Sequence, residues 1–234
     1  MHVISLEGSY NARGIGHHRR PWLVRSAGLD ALTPGGERAL RDAGVDLIID
    51  LRETSEHAER GHEIPVRSVP LYGETPPSAG TLEEVYAGLV RERGARLTAA
   101  VIAIAEHPGT VVVHCTAGKD RTGLVVALAR LAAGDARTEV VADYAMSGST
   151  VRPAREAIAA AQLSGLVLSA SARAASERLH LDSPAEALES ALDIVDELGG
   201  VEHYLRSHGA TSDHLAALAD RADAHAVIAS GSVA

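Results

Sequence analysis

Thr110-Val111-Val112-Val113-His114-Cys115-Thr116-Ala117-Gly118-Lys119-Asp120-Arg121-Thr122-Gly123-Leu124-Val125-Val126-Ala127 is the stretch whose reading decides the fold. It opens on a β-branched run that suits a buried strand and leads into an apolar run, Leu124 to Ala129, with helical character. Between them lies a turn that contains Gly118. A strand that runs through such a turn into a helix is a place to hold an anion, because the first amides of the helix have no internal acceptor. Here a thiol, Cys115, stands at the start of the turn and a guanidinium, Arg121, near its end.

That pairing suits attack by a thiolate on a phosphate monoester. A free thiol titrates near pH 8.5 and is mostly protonated at neutrality. Inward-pointing amides at a helix N-terminus stabilise the thiolate. The amides of residues 116 to 121, from Thr116, Ala117, Gly118 and Lys119 onward, would also bind the phosphate oxygens. Arg121 adds a planar fork for two of them. Cys115 would form a cysteinyl-phosphate that water hydrolyses. No metal or other cofactor is called for, since the amides and Arg121 supply the positive field. Thr122 is expected to donate a hydrogen bond to the sulfur, and His114 to orient the loop through a ring N–H.

His114, Cys115, Arg121 and Thr122 match the His-Cys-x5-Arg-Ser/Thr signature, and the chain thereby resembles the protein tyrosine phosphatase superfamily. The form Ala-Gly-Lys-Asp-Arg-Thr-Gly is most similar to an atypical bacterial branch, which includes secreted mycobacterial enzymes of dual or triple specificity. The resemblance implies a metal-independent phosphomonoester hydrolase of tyrosine-phosphatase type, with dual-specificity or phosphoinositide activity open. Its partner would be a phosphorylated substrate: a phosphoprotein, a phosphoinositide or a small phosphate ester. The alternatives are a phosphatase of a small metabolite or nucleotide, and a phosphate-binding module without turnover. A thiol redox enzyme is excluded, because Cys115 has no resolving partner.

Lys119 is expected to add a second cation at the mouth of the loop, which in the resembled superfamily accompanies highly charged substrates. Two carboxylates compete for the role of general acid. Asp120 precedes Arg121 directly; the other reading makes it a helix cap. Asp50 closes the run Val45-Asp46-Leu47-Ile48-Ile49-Asp50-Leu51-Arg52, which reads as a buried strand. The other reading of Asp50 is a structural cap of a helix near Thr54. Ligands in open α/β sheets bind beyond the carboxyl ends of the strands, so Asp50 and Cys115 are expected to share a pocket. Arg52 is a candidate substrate contact.

Outward from these strands, Trp22 to Ser26 and Val66 to Leu71 read as further strands. Thr33-Pro34 opens a helix that ends near Gly44, and Thr81 to His107 is a long helical stretch weakened at Gly88 and Gly94. Gly8 to Gly16 reads as a loop, followed by the basic run His17-His18-Arg19-Arg20, read as solvated. Asn11 and Arg13 match the family's opening Asn-x-Arg-Asp, but Gly14 stands in place of its Asp. Thr138 to Met146 and Pro153 to Leu163 are helical, and Ser183 with Glu186 forms a capping box. Gly199 to Leu205 resembles the family's closing helix, with a packing role. The alternation of strands and helices predicts an α/β fold with a central, mainly parallel sheet flanked by helices. One domain, 1–234, is expected, with 147–183 a helical lid-like insertion or a plain surface segment, and 224–234 a flexible tail.

The 234 residues are 46% hydrophobic, ample for a core, but only 3% aromatic, with no Phe and one Trp. Few aromatics make a phosphotyrosine slot hard to locate. A formal charge of -9 argues against nonspecific nucleic-acid binding and against a polybasic membrane anchor. The single Cys fits a reducing compartment. Met1-His2-Val3-Ile4 is soon followed by Glu7, so no leader pattern is read, and no apolar run approaches a membrane span. A cytoplasmic location is the expectation; the resemblance leaves export without a leader open. The sequence sets no oligomeric state. The 12 His are scattered, without metal-ligand spacing.

Overall fold

The computed structural model describes residues 1–230, with side chains as far as residue 222. A six-stranded sheet runs in the order β1-β2-β3-β6-β4-β5, with β1 His2–Val3, β2 Arg13–His17, β3 Arg20–Ser26, β4 Val45–Asp50, β5 Val66–Ser68 and β6 Thr110–His114. The strands β3, β6, β4 and β5 are parallel; β1 and β2 extend one edge antiparallel. This is the α/β architecture that the sequence predicts.

Side chains alternate across the sheet as the pleat requires. Leu23, Ile49, Val111 and Val113 enter the larger core on one face; Val24, Ile48 and Val112 enter a smaller core on the other. Helix α1 (Pro34–Asp42) covers the smaller core. The larger core lies under α2 (Leu82–Glu92), α3 (Gly94–Glu106), α4 (Asp120–Ala132), α5 (Arg137–Ala145), α8 (Ala185–Glu197), α9 (Gly200–Ser207) and α10 (Ser212–Ser230). Between α5 and α8 stand α6 (Ser147–Ser164) and α7 (Ala170–Leu181). Helix α4 is buried from Arg121 to Arg130, so its apolar run Leu124 to Ala129 is continuous rather than striped.

Capping sets the helix starts. Thr33 accepts the Gly36 amide before Pro34, and Thr81 forms a capping box with Glu84. The long helix expected after Thr81 breaks at Arg93, not at Gly88; a Cβ at Gly94 would lie 2.3 Å from the His208 ring. Tyr204 of α9 is fully buried and donates to the Val90 carbonyl at 2.8 Å.

Several expectations need correction. Part of the loop predicted over Gly8 to Gly16 is strand β2, paired on both sides. Gly14 packs so closely on His2 that a Cβ would lie 2.4 Å from its ring, so pairing overrides the low strand preference of glycine. Strand β5 stops at Ser68. Helix α6 begins six residues before Pro153 and carries it inside. The predicted capping box at Ser183 does not form: Pro184 takes the N-cap position, and the buried Ser183 hydroxyl has no partner among the described residues. Of the tail, the backbone to residue 230 continues α10, and residues 231–234 lie outside the described residues. The basic run His17 to Arg20 sits at the β2–β3 turn, largely in solvent.

Candidate active site

The register aligns Ser26, Asp50 and His114 at the carboxyl end of the sheet. Cys115 follows directly and is buried. Residues 115–119 form the turn, and α4 starts at Asp120. Gly118 has φ +65, and a Cβ there would stand 2.2 Å from the Ser26 carbonyl oxygen, so only glycine fits. Among the described residues, the amides of Thr116, Ala117, Gly118 and Lys119 donate to no protein acceptor. They form a concave set of free donors at a helix N-terminus.

A cavity of about 370 Å³ opens over this turn. Cys115, Thr116, Ala117, Asp120 and Arg121 line its floor, with Glu56 and Tyr72 at one side and Arg155 and Leu179, from α6 and α7, at the other. The Arg121 fork is held by Glu56: Nη1 to Oε2 is 2.5 Å and Nη2 to Oε1 is 2.7 Å. Burial works against the Arg121 charge, but the bonded Glu56 outweighs it and raises the pKa. Burial likewise opposes the Glu56 charge, and Arg121 more than compensates, taking that carboxyl down to about 2. Thr116 Oγ1 also donates to Glu56, at 2.5 Å. The Tyr72 ring lies 5.1 Å from the Arg121 guanidinium carbon, a cation–π contact.

Asp120 lies on the cavity with one oxygen engaged. Its Oδ1 accepts from Tyr86 at 2.7 Å and from Lys119 at 2.5 Å, and Oδ2 has no partner among the described residues. Burial raises the Tyr86 pKa well above the usual phenol value, so its hydroxyl keeps the proton that it donates. The side chain of Asp120 caps nothing: α4 has no side-chain cap.

Asp50 is not on this cavity. It is buried and held by Arg52, which donates to it from Nε, Nη2 and its own amide at 2.8–3.2 Å. Burial opposes the Asp50 charge, yet Arg52 and His114 hold its pKa below the ordinary value. The shared pocket expected for Asp50 and Cys115 is therefore absent, and Asp50 does not cap the turn at Thr54–Glu56 either; Glu53 does. Arg52, read from the sequence as a substrate contact, is buried against Asp50 and Asp30. His114 is buried with Nδ1 3.3 Å from the Cys115 carbonyl; burial lowers its pKa to about 4, so it is neutral at pH 7 and one ring N–H can donate there. The Thr122 hydroxyl is buried without a partner among the described residues, so the bond to sulfur expected of it is not formed.

Lys119 departs most from expectation. It is fully buried, and its ammonium points away from the mouth, to Asp120, to the Leu179 carbonyl at 3.0 Å and to the Asp182 carbonyl at 2.7 Å. All three of its donors are engaged, because an ammonium removed from water requires it. Glu56, Tyr72, Tyr86 and Arg155 escaped the sequence reading. Glu56 alone had a signal: it lies in the turn after β4, at the same sheet end as Cys115.

The comparisons with known proteins agree with this geometry. A model of the tyrosine phosphatase family matches residues 4–222. The chain belongs to the tyrosine phosphatase family. Membership places it among the phosphoric monoester hydrolases. It is 29% identical over 89% of its length to the triple specificity protein phosphatase PtpB of Mycobacterium tuberculosis, covering 95% of that protein. It is also 32% identical, over 53% of its length, to a tyrosine-protein phosphatase of Nostoc commune, of which it spans 47%, about half. Among the described residues no helix is long and apolar enough to cross a membrane.

Proposed function

We propose that this chain hydrolyses phosphate monoesters through a cysteinyl-phosphate on Cys115, with phosphotyrosine in proteins as its leading substrate. One observation carries the reading: the Cys115 thiol and the held Arg121 guanidinium line one cavity with Thr116 and Ala117, on a turn whose amides from Thr116 to Lys119 have no acceptor among the described residues. The Cys115 thiolate attacks phosphorus, and the ester P–O bond breaks. Asp120 gives its proton to the leaving oxygen. Water then attacks phosphorus and yields a proton to Asp120, the S–P bond breaks, and inorganic phosphate leaves. Tyr72 over Arg121 and the prolines Pro76 and Pro77 on the wall support an aromatic phosphate ester. Asp120 is preferred over Asp50 because only Asp120 lines the cavity with an oxygen free. Helices α6 and α7, which bring Arg155 and Leu179 to the cavity, act as the lid over residues 147–183.

A second reading is a substrate with further negative charge, such as a phosphoinositide. Arg155 supports it: among the described residues this cavity-lining cation pairs with no carboxylate. Lys119, turned inward, lends it no support.

The test is phosphate release, with chelator present, from phosphotyrosine and phosphoserine peptides, phosphoinositides, and nucleoside and sugar phosphates. Fastest release from phosphotyrosine peptides is expected. Release confined to phosphoinositides or to a small phosphate ester would replace the leading substrate. Phosphate-ligand binding without release from any ester would favour a binding module.

A further inference from the structure

A trans peptide holds its C=O and its following N–H in opposite directions. An amide of the turn therefore faces the cavity only if the carbonyl before it faces outward. Each of the four carbonyls from Cys115 to Gly118 has a donor in the surrounding protein. His114 serves Cys115, and the Gly28 amide serves Thr116 at 3.2 Å. Asn11 Nδ2 donates to the Ala117 carbonyl at 3.2 Å and to the Gly118 carbonyl at 3.0 Å. Arg25 Nη2 donates to the Gly118 carbonyl at 2.9 Å.

We propose that Asn11 and Arg25 are positioning residues for the reaction: by gripping the Ala117 and Gly118 carbonyls, they aim the amides of Gly118 and Lys119 at the phosphate and at the Cys115 sulfur. This rests on the reading of Cys115 as nucleophile.

The residue types fit the task. Asn11 has φ 58, a left-handed conformation that Asn tolerates better than most side chains. Its Oδ1 accepts from Arg13, which leaves the NH2 group to face the turn. Arg13 and Arg25 are fixed in turn by one buried carboxylate, Asp143, at 2.7 and 2.8 Å, and both reach the Ser147 hydroxyl. Asp143 comes from α5, so the framework ties β2, β3 and α5 to the turn. Arg130 also approaches Asp143, at 3.9 Å, and pairs with Asp135, so three guanidiniums face two carboxylates and leave a net positive charge behind the turn, which favours a thiolate and a phosphate dianion.

The test exploits the single cysteine of the chain, whose thiolate absorbance titrates without interference from a second thiol. Asn11→Gly keeps the positive φ and removes the donor. Arg25→Lys keeps the charge but cannot serve Asp143 and Gly118 together. Neither variant changes the net charge, so a shift in the thiol pKa reports the aim of the amides. Both are expected to raise that pKa by about one unit and to lower kcat/KM about 10- to 100-fold. Orthovanadate should bind more weakly in the same order. A wild-type thiol pKa in either folded variant, with only a lowered Tm, would overturn the proposal in favour of a merely structural role. Should one variant fail to fold, the other carries the test. Failure of the underlying reading looks different: the wild-type chain itself would then show no Cys115-dependent release.

Discussion

Replacing Lys119 by Met separates two accounts of this residue. The chain length is nearly preserved, but three donors vanish from a fully buried site. Two carbonyls at the end of α7 lose their charged donor, and Asp120 Oδ1 keeps only the Tyr86 hydroxyl. A hydrogen bond from a charged donor contributes about 1.5–3 kcal/mol. Breaking a buried charge arrangement on one side costs about 3–5 kcal/mol. The removed ammonium also no longer needs desolvating, so the lower part of that range, about 3 kcal/mol, is expected. For a chain of this size that corresponds to a Tm lower by roughly 6–12 °C. Urea unfolding measures the loss, and hydrogen exchange should show Ala170–Leu181 opening before the sheet. Turnover should fall by a similar factor on phosphotyrosine and on polyphosphorylated substrates, because the ammonium faces neither. An unchanged stability, with KM raised only for polyphosphorylated substrates, would refute the reasoning and return Lys119 to the mouth of the site.

Asp120→Asn should slow alkyl phosphates by about 100-fold, as removal of a general acid does, and aryl phosphates with good leaving groups far less; equal losses on both would remove Asp120 from that role. Glu56→Gln should destabilise the chain at neutral pH and raise KM, because the buried Arg121 fork loses its counter-charge. The folded Glu56 pKa of about 2 lies below the ordinary 4.5, so its stabilisation is present above about pH 4.5 and disappears as pH falls through about 2. That contribution is about 3 kcal/mol, and urea midpoints of wild type and variant should converge across this window. A constant difference down to pH 2 would contradict it.

The parts of the fold legible in the sequence were those set by local chemistry. The β-branched run before Cys115, the Thr33 cap and the apolar run Leu124 to Ala129 of α4 each carry their own signal. Strand β2 carries none, because its glycines are strand only through their neighbours on both sides. Ser183 has the right spacing for a cap, but Pro184 supplies the extended N-cap backbone one residue later. In the candidate site, the motif put Cys115, Asp120 and Arg121 within reach of one another because one turn carries all three. Lys119 shares that turn and points elsewhere, since neighbouring residues of a helix start face different sides. Asp50 shares the sheet end with Cys115, but Arg52, two residues on, folds back and takes its carboxylate. Tyr72 and Arg155 reach the cavity from separate segments, and no local pattern announces a long-range contact.

The central claim is the covalent intermediate. Rapid acid quench during turnover of a phosphotyrosine peptide, followed by mass spectrometry of the Cys115 peptide, tests it directly. The account predicts one phosphoryl group on Cys115 in the wild-type chain, and in Cys115→Ser no turnover but retained binding of the phosphopeptide. Undiminished hydrolysis by Cys115→Ser, with no adduct on the wild-type thiol, would contradict it.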